Sequence, residues 1–185
     1  MTTQSSRRKF IRQIGGASLL LAAGQVKVIG SENTGTRAKD RAYPVGPNDK
    51  IRIATIGMGI MGNVDTDSAL RVPGVELVAA CDLYKGRLAR VKEKYGSNVY
   101  TTQDYRELIN RKDIDAVIIA TSGNWHSRIT IDALNSGKAV YCEKPVVHKI
   151  NQGLEVIAAQ KKTGKTMQVG SQRVSSIVYA KAKEL

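Results

Sequence analysis

From Lys50 onward the sequence predicts an α/β fold, a doubly wound parallel sheet with helices on both faces. Six short and almost continuously apolar segments alternate with segments of helical length. Apolar strands joined by helical crossovers form parallel sheets that are covered on both sides. Glycine stands within two residues of the end of three of the predicted helices, at Gly96, Gly137 and Gly164, where a left-handed C-cap is favoured. The strand order expected for such a sheet is 3-2-1-4-5-6.

The elements follow one another in strict alternation. The strands are short apolar runs, and they are predicted at residues 51–56, 75–81, 99–101, 115–120, 139–142 and 166–169. The helices are longer segments with mixed polarity, and they are predicted at residues 60–71, 85–95, 104–110, 125–135, 149–163 and 175–185. Pro73 and Gly74 stop the first helix, and the side chain of Asp104 is expected to cap the third.

The first strand runs directly into a glycine motif. Its six residues are Gly57, Met58, Gly59, Ile60, Met61 and Gly62. In a Gly-x-Gly-x-x-Gly turn, the first glycine makes the turn, the second lets the backbone approach a pyrophosphate, and the third lets helix and strand pack closely. The helix N-terminus adds free N–H groups and a positive dipole. All six are candidate cofactor-binding residues, although the motif alone also fits a plain glycine-rich turn.

Asp82 is the second part of this dinucleotide fingerprint. It ends the second strand about 20 residues after the glycine motif, where an acid bonds the adenosine ribose and repels a 2′-phosphate. The sequence therefore predicts NAD as the cofactor, with NADP disfavoured. Two alternatives stay open. Asp82 also fits a helix N-cap, and Tyr84, Lys85 and Arg87 follow closely enough to soften the preference for NAD.

Further candidates follow the fourth strand. Thr121, Ser122 and Gly123 come directly after it, and ligands of doubly wound sheets bind at the carboxyl ends of strands, beside the switch point in strand order. We therefore expect these three residues to face the cofactor. His126 lies in the next helical turn and is a candidate for both catalysis and cofactor binding. The alternative for His126 is a structural side chain.

Glu143 and Lys144 follow the fifth strand and precede Pro145. A lysine at this edge of the sheet is well placed to bond a substrate hydroxyl, and partial burial would favour the neutral form that a general base needs. Lys144 is therefore the main catalytic candidate, and both Glu143 and Lys144 are expected to contact the cofactor. A salt bridge within the loop is the alternative.

Residues 1–24 resemble an export signal. A basic segment without acids precedes an apolar stretch that is too short to span a bilayer, so no stable membrane span is predicted. Arg7 and Arg8, followed by Phe10, resemble the twin-arginine signal, which predicts the twin-arginine export machinery as a partner and a periplasmic or other exported location. A basic start to a cytosolic protein is the alternative. Residues 25–49 are predicted to be a linker or arm.

The formal net charge of +13 does not indicate a nucleic-acid partner. The Lys and Arg residues are dispersed among acids, no zinc-ligand spacing occurs, and one Phe and one Trp provide no stacking platform. No metal site is predicted. Cys81 and Cys142 fall in the second and fifth strands, roughly 14 Å apart in the expected order, which is beyond the reach of a disulfide. We expect two buried free thiols.

Together these residues resemble the Gfo/Idh/MocA oxidoreductase family. The resemblance covers the chain from about Lys50 to the C-terminus. It rests on the glycine motif, Asp82, the Ala-Thr-x-x-x-x-His at 120–126, the Gly-Lys-x-Val-Tyr-Cys-Glu-Lys-Pro run at 137–145 and the Gln-Val-Gly-Ser-Gln-Arg at 168–173. It implies a Rossmann-type dinucleotide-binding domain at residues 50–172, with residues 173–185 as the start of a larger α/β substrate domain that is otherwise absent. It implies hydride transfer between a sugar or polyol CH–OH carbon and NAD, with Lys144 contacting both substrate and cofactor, and His126 as the family's loop histidine.

The resemblance also sets expectations for the whole protein. Family members continue through a second domain that often makes a homo-oligomer, whereas this chain stops within a predicted helix, so we expect a fragment that is inactive alone. The leader resembles that of exported members such as glucose-fructose oxidoreductase. Ser122 and Gly123 stand where the family often has Pro-Asn. The alternatives are an NAD-dependent glycosidase of the same family and a non-catalytic dinucleotide-binding module.

Overall fold

The computed structural model describes residues 50–185, so the expected leader (1–24) and linker (25–49) lie outside the described residues. The strands are β1 (Ile51–Ile56), β2 (Val75–Cys81), β3 (Tyr100–Thr102), β4 (Ala116–Ile119), β5 (Ala139–Glu143) and β6 (Met167–Gly170). The helices are α1 (Ile60–Ala69), α2 (Lys85–Tyr95), α3 (Tyr105–Ile109), α4 (Gly123–Asn135), α5 (Ile150–Thr163) and α6 (Ile177–Glu184), with a 3-10 turn at Gln172–Ser175.

The six strands form one parallel sheet in the order β3-β2-β1-β4-β5-β6. This order confirms the predicted fold class and topology. β1 pairs with β2 on one side and with β4 on the other, so the strand order reverses its direction between β1 and β4. Loops leave these two strands in opposite directions, which opens a crevice at their carboxyl ends. That crevice is where the candidate site lies.

The main core lies between the sheet and α4. Along β4 the side chains of Val117 and Ile119 belong to the same buried cluster as Ile129 and Ala133 of α4. The helix presents these residues because apolar side chains spaced three and four apart share one face. Each fully buried aliphatic side chain of this size stabilises the fold by about 1.5–3 kcal/mol. This packing fixes the orientation of α4 and of the loop that precedes it.

The observed boundaries differ from the predicted ones mainly at helix ends. α1 ends at Ala69, two residues early, with Leu70 as its C-cap. Pro73 disfavours helical geometry at the residue before it, so the helix does not continue past this point. α4 starts at Gly123, two residues early, with Ser122 as its extended N-cap. The final predicted helix is divided by Ser176, whose extended backbone separates the 3-10 turn from α6.

Asp104 caps α3 as predicted, and its carboxylate accepts from the backbone N–H of Arg106 at 3.0 Å. Both cysteines are free and buried, and β1 and β4 separate their strands. Burial raises the pKa of the Cys81 thiol to about 12 and that of the Cys142 thiol to about 11, so both remain protonated at neutral pH. Among the helices of residues 50–185, none combines the length and apolar character needed to cross a bilayer.

Candidate cofactor site

The first and third glycines of the loop are required by the packing of the chain itself. Gly57 has a φ of +95°, and a Cβ added there would lie 2.6 Å from the carbonyl oxygen of Ala120. Its N–H donates to the Cys81 carbonyl at 2.7 Å. A Cβ at Gly62 would collide with the carbonyl oxygen of Gly57. These two positions let β1, β4 and α1 approach closely, as the fingerprint requires.

The second glycine is different, because the protein leaves the space above it open. The protein atom nearest to a Cβ added at Gly59 is in the Arg87 guanidinium, at 3.9 Å. Gly59 is also the N-cap of α1, and no side chain caps this helix end. An open surface over a helix N-terminus is a site for an anion such as a phosphate. The loop therefore fits the pyrophosphate of a dinucleotide.

Two residues of α1 that the sequence analysis did not select hold the glycine loop in place. The Asn63 side-chain amide donates to the carbonyl oxygens of Met58 and Gly59, at 3.1 and 2.8 Å. The Thr66 hydroxyl donates to the Gly62 carbonyl at 2.6 Å and lies 2.7 Å from the Thr55 hydroxyl. Asn63 and Thr66 each stand four residues after a motif glycine, and that spacing was the available signal.

Asp82 joins the glycine loop to the loop after β2. Its Oδ2 accepts from the backbone N–H of Met58 at 2.8 Å and from Arg87 Nη1 at 3.2 Å, and its Oδ1 accepts from the backbone N–H of Tyr84 at 2.8 Å. The side chain is 6% exposed. A carboxylate offers about four lone-pair sites, so one site on Oδ1 remains for a ribose hydroxyl. A second hydroxyl can bond only if Arg87 moves.

One cavity of about 700 Å³ runs along this edge of the sheet. Five of the predicted site residues line it, namely Gly57, Gly59, Asp82, Thr121 and Ser122. Its remaining wall includes residues that the sequence analysis did not place in the site, among them Leu83, Gln103, Arg106 and Trp125. The cavity therefore extends from the glycine loop past Asp82 to the segment after β3.

The other residues of the glycine motif surround the loop without lining this cavity. Met58 is buried in a small core cluster and contributes its backbone N–H to Asp82. Ile60 and Met61 are exposed in the first turn of α1. Their positions match a helix N-terminus that faces a ligand through backbone N–H groups.

His126 points into the protein. The side chain is 2% exposed, its Nδ1 lies 2.8 Å from the Pro145 carbonyl oxygen, and its Nε2 lies 3.0 Å from the Thr121 carbonyl oxygen. A neutral ring donates to only one of these acceptors, whereas a doubly protonated ring donates to both. His126 therefore joins the loops after β4 and β5. This geometry favours a positioning role, while the predicted catalytic role of His126 stays a prediction.

Glu143 and Lys144 lie at the end of β5, outside the cavity. Glu143 is buried, and its Oε1 lies 3.3 Å from the Tyr141 hydroxyl and accepts from the Gln172 amide. Lys144 is exposed, so residues 50–185 do not provide the burial expected for a general base. Gly123 lies nearby at the start of α4, and a Cβ there would be 2.6 Å from His148 Nε2.

Asp65 of α1 is an unexpected buried acid behind this loop. Its Oδ2 is buried and has no hydrogen-bond partner within the described part of the chain. Burial, with a smaller effect from the charge of Glu143, raises the pKa of Asp65 to about 6. Burial, together with these two acids, raises the pKa of Tyr141 to about 12. In residues 50–185, no group of three or more His, Cys, Asp or Glu residues is arranged to hold a metal.

Comparisons with known proteins agree with this geometry. The family model described as "Oxidoreductase family, NAD-binding Rossmann fold" (GFO_IDH_MocA) matches residues 51–171. The chain is 36% identical over 137 residues to inositol 2-dehydrogenase of Salmonella typhimurium, covering 73% of this chain and 41% of that protein. It is 32% identical over 174 residues to the alpha-N-acetylgalactosaminidase of Shewanella oneidensis, covering 86% of this chain and 38% of that protein.

The chain is also similar to solved structures of inositol dehydrogenases. Myo-inositol 2-dehydrogenase from Lactobacillus plantarum is similar with a TM-score of 0.68 and 31% identity, covering 73% of this chain and 40% of that chain. Scyllo-inositol dehydrogenase from Lactobacillus casei is similar with a TM-score of 0.67 and 27% identity, covering 74% of this chain and 41% of that one. The chain spans about two fifths of the length of these relatives.

Proposed function

Because the chain belongs to the Gfo/Idh/MocA family of oxidoreductases, we propose that the protein transfers hydride between a sugar or polyol CH–OH carbon and nicotinamide. Residues 51–171 are its NAD-binding Rossmann domain. The observation that carries the proposal is the hydrogen bond from Met58 N–H to Asp82 Oδ2, at 2.8 Å. It fixes a ribose-binding acid beside a glycine loop whose middle glycine is open to a phosphate.

In this proposal, different residues of the chain bind the cofactor and accept the substrate proton. The open backbone at Gly59 and the N-terminus of α1 would hold the pyrophosphate, and the remaining lone pair of Asp82 would bind an adenosine ribose hydroxyl. NAD supplies the acceptor for the hydride that leaves the alcohol carbon. In the proposed reaction, the neutral amine of Lys144 would take the proton of the hydroxyl oxygen on that carbon, so that loss of the hydride and of this proton would convert the alcohol to a carbonyl. His126 holds together the loops after β4 and β5, and the loop after β5 carries Lys144.

Cofactor binding is tested by calorimetry of the purified chain with NAD. We expect Asp82→Ala to abolish measurable binding, because it removes the ribose acceptor and releases the glycine loop. Asp67→Ala is the matched control, since Asp67 is an acid on α1 that pairs with Lys94 away from the cavity. Equal NAD affinity in wild type and Asp82→Ala would refute the assignment of the site.

The reaction is tested by NADH formation from a panel of sugars and polyols that includes myo-inositol. The panel is chosen because relatives named inositol dehydrogenases match 73% of this chain. In the whole protein, including the expected second domain, we expect Lys144→Ala to lose turnover while NAD binding persists. A binding module without catalysis would instead be unaffected by this substitution. We propose that residues 50–185 alone bind NAD without turning over substrate, because Lys144 lies exposed outside the cavity.

An NAD-dependent glycosidase is the second candidate function. It is favoured by the similarity to the Shewanella oneidensis alpha-N-acetylgalactosaminidase, which covers 86% of this chain. The presence of Lys144 favours the oxidoreductase, since the NAD-dependent glycosidases of the Gfo/Idh/MocA family commonly lack a lysine at this position. Release of p-nitrophenol from aryl glycosides without net NADH change would establish the glycosidase, and NADH formation without such release would exclude it.

We propose that the protein is exported through the twin-arginine machinery with its cofactor already bound. The support is the pair Arg7 and Arg8 before a short apolar stretch. Replacing both arginines by lysine should retain the protein in the cytoplasm, as measured by cell fractionation. An unchanged distribution would refute the proposal. We also propose a homo-oligomeric enzyme, which light scattering of the purified protein tests directly.

A further inference from the structure

Three large side chains leave apolar surface exposed around the same cavity. Leu83 is 80% exposed, Tyr84 is 67% exposed and Trp125 is 50% exposed, and all three line the cavity that contains Asp82. Isolated exposed apolar residues are ordinary, but a cluster around one cavity marks a ligand-binding surface. These side chains fit a ligand that is flat and has apolar faces.

The position of Trp125 is the informative one. Trp125 lies in the first turn of α4, where its backbone N–H donates to the Ser122 carbonyl at 3.0 Å. Ile129 stands one turn further along the same face of the helix, is 2% exposed and forms part of the same cavity wall. The indole is therefore carried by a helix whose next turn is fixed in the core.

Trp125 shares one cavity wall with the segments that follow β2 and β3. Chain order alone would put it near the nicotinamide end, since it follows β4, the neighbour of β5 and Lys144. Yet the cavity wall that includes Trp125 also includes Gln103 and Arg106, from the segment after β3, and does not include Lys144. Gln103 in turn donates to the Leu83 carbonyl at 2.6 Å and holds the loop after β2 against this segment.

The adenine of a dinucleotide is attached directly to the ribose that Asp82 binds. Its ring must therefore lie in the part of the cavity next to Asp82 and away from the glycine loop. We propose that Trp125 is the side chain on which this adenine stacks, with Leu83 and Tyr84 forming the opposite wall of the slot. The inference rests on the proposed NAD-binding function and adds to it a residue that binds the base.

The test uses Trp125 as its own reporter, because it is the only tryptophan in the chain. Tryptophan fluorescence of the full chain is titrated with NAD, AMP and nicotinamide mononucleotide. We expect NAD and AMP to quench the emission at saturation, since both carry adenine, and the mononucleotide to leave it unchanged. Quenching by nicotinamide mononucleotide but not by AMP would place Trp125 at the other end of the cofactor and overturn the proposal.

Affinity is then measured by calorimetry in variants at this position. Base–aromatic stacking is worth about 1–3 kcal/mol, so Trp125→Ala should weaken NAD and AMP binding by about 5- to 150-fold. Trp125→Phe should retain most of the affinity, whereas Trp125→Leu, which keeps apolar bulk without a ring, should lose it. The affinity for nicotinamide mononucleotide should be the same in all four proteins.

The outcomes separate this inference from the proposed function. Failure of the wild-type chain to bind NAD would refute both. NAD binding that is equally tight in wild type, Trp125→Leu and Trp125→Ala would refute only the stacking role. Thermal unfolding of each variant shows whether it is folded, and the fluorescence titration of the wild type decides the question even if Trp125→Ala does not fold.

Discussion

The backbone N–H of Met58 donates to the Oδ2 of Asp82 at 2.8 Å, which makes the two parts of the dinucleotide fingerprint one hydrogen-bonded unit. Met58 belongs to the loop after β1, and Asp82 follows β2. Because the same carboxylate also accepts from Tyr84 N–H and from Arg87, the acid organises the two loops, and in the proposed site it also binds ribose. Binding and local stability are therefore coupled at this residue.

The glycine loop gives the first prediction. Gly59→Ala should leave the fold intact and weaken NAD binding at least about tenfold, or about 1.4 kcal/mol, because the added methyl occupies space that only the phosphate uses. Gly62→Ala should instead destabilise the fold by about 1–3 kcal/mol or more, because its Cβ meets the Gly57 carbonyl oxygen. Thermal unfolding and NAD calorimetry of both variants distinguish the two effects. Equal loss of stability in both would contradict the structure.

The second prediction concerns Asp65 and pH. Its pKa rises from 3.8 to about 6 in the folded protein, so the folded state holds the proton more tightly than the unfolded state. The stability that this proton contributes is fully present below about pH 4 and is lost as pH rises through 6. Asp65→Asn cannot lose a proton, so it should be more stable than wild type at pH 8 by roughly 1–2 kcal/mol.

Urea unfolding of wild type and Asp65→Asn between pH 4 and 8 measures this difference. The ionisable groups facing Asp65 are Glu143 and Tyr141, and the charge of Glu143 contributes to the shift. Glu143→Gln should therefore reduce the pH dependence without abolishing it. If Asp65→Asn shows the same pH dependence as wild type, another group is responsible.

The third prediction contrasts the two histidines of the chain. His126→Ala should lower the free energy of unfolding by about 1–3 kcal/mol, because two carbonyl oxygens in the loops after β4 and β5 lose their buried partner. His148→Ala is the matched control, since His148 is exposed and its removal should have little effect. Denaturant unfolding measures both. A His126→Ala protein as stable as wild type would argue against the positioning role.

The fourth prediction concerns the two thiols. Cys81 and Cys142 are buried on strands that are not neighbours, and burial raises the pKa of each thiol to about 11 or 12. Neither should react with Ellman's reagent in the native protein, and two thiols per chain should react after unfolding. Fewer than two reactive thiols after unfolding without reductant would reveal a disulfide.

Most of the fold could be predicted from the sequence. The six strands, their order and the glycine C-caps at Gly96 and Gly164 depend on local apolar runs and on the backbone freedom of glycine, and both are visible in a short window. Gly57, Gly59, Gly62 and Asp82 were found for the same reason, since a strand end fixes the edge of the sheet at which its next residues lie. The predicted helix ends were less accurate than the predicted strands. A helix end depends on a single capping residue, and the extended backbone of Ser176 divides the last predicted helix.

The sequence alone determined that this chain carries a parallel α/β sheet with a glycine loop and Asp82 at one edge. Only the tertiary structure decided which way the side chains after β4 and β5 point. Packing of α4 on the core turns His126 inwards and leaves Trp125 half-exposed on the wall of the cavity. Packing of α1 against the sheet brings Asp65 within range of the charge of Glu143. Spacing along the chain cannot show these contacts, because they depend on how each helix is rotated against the sheet.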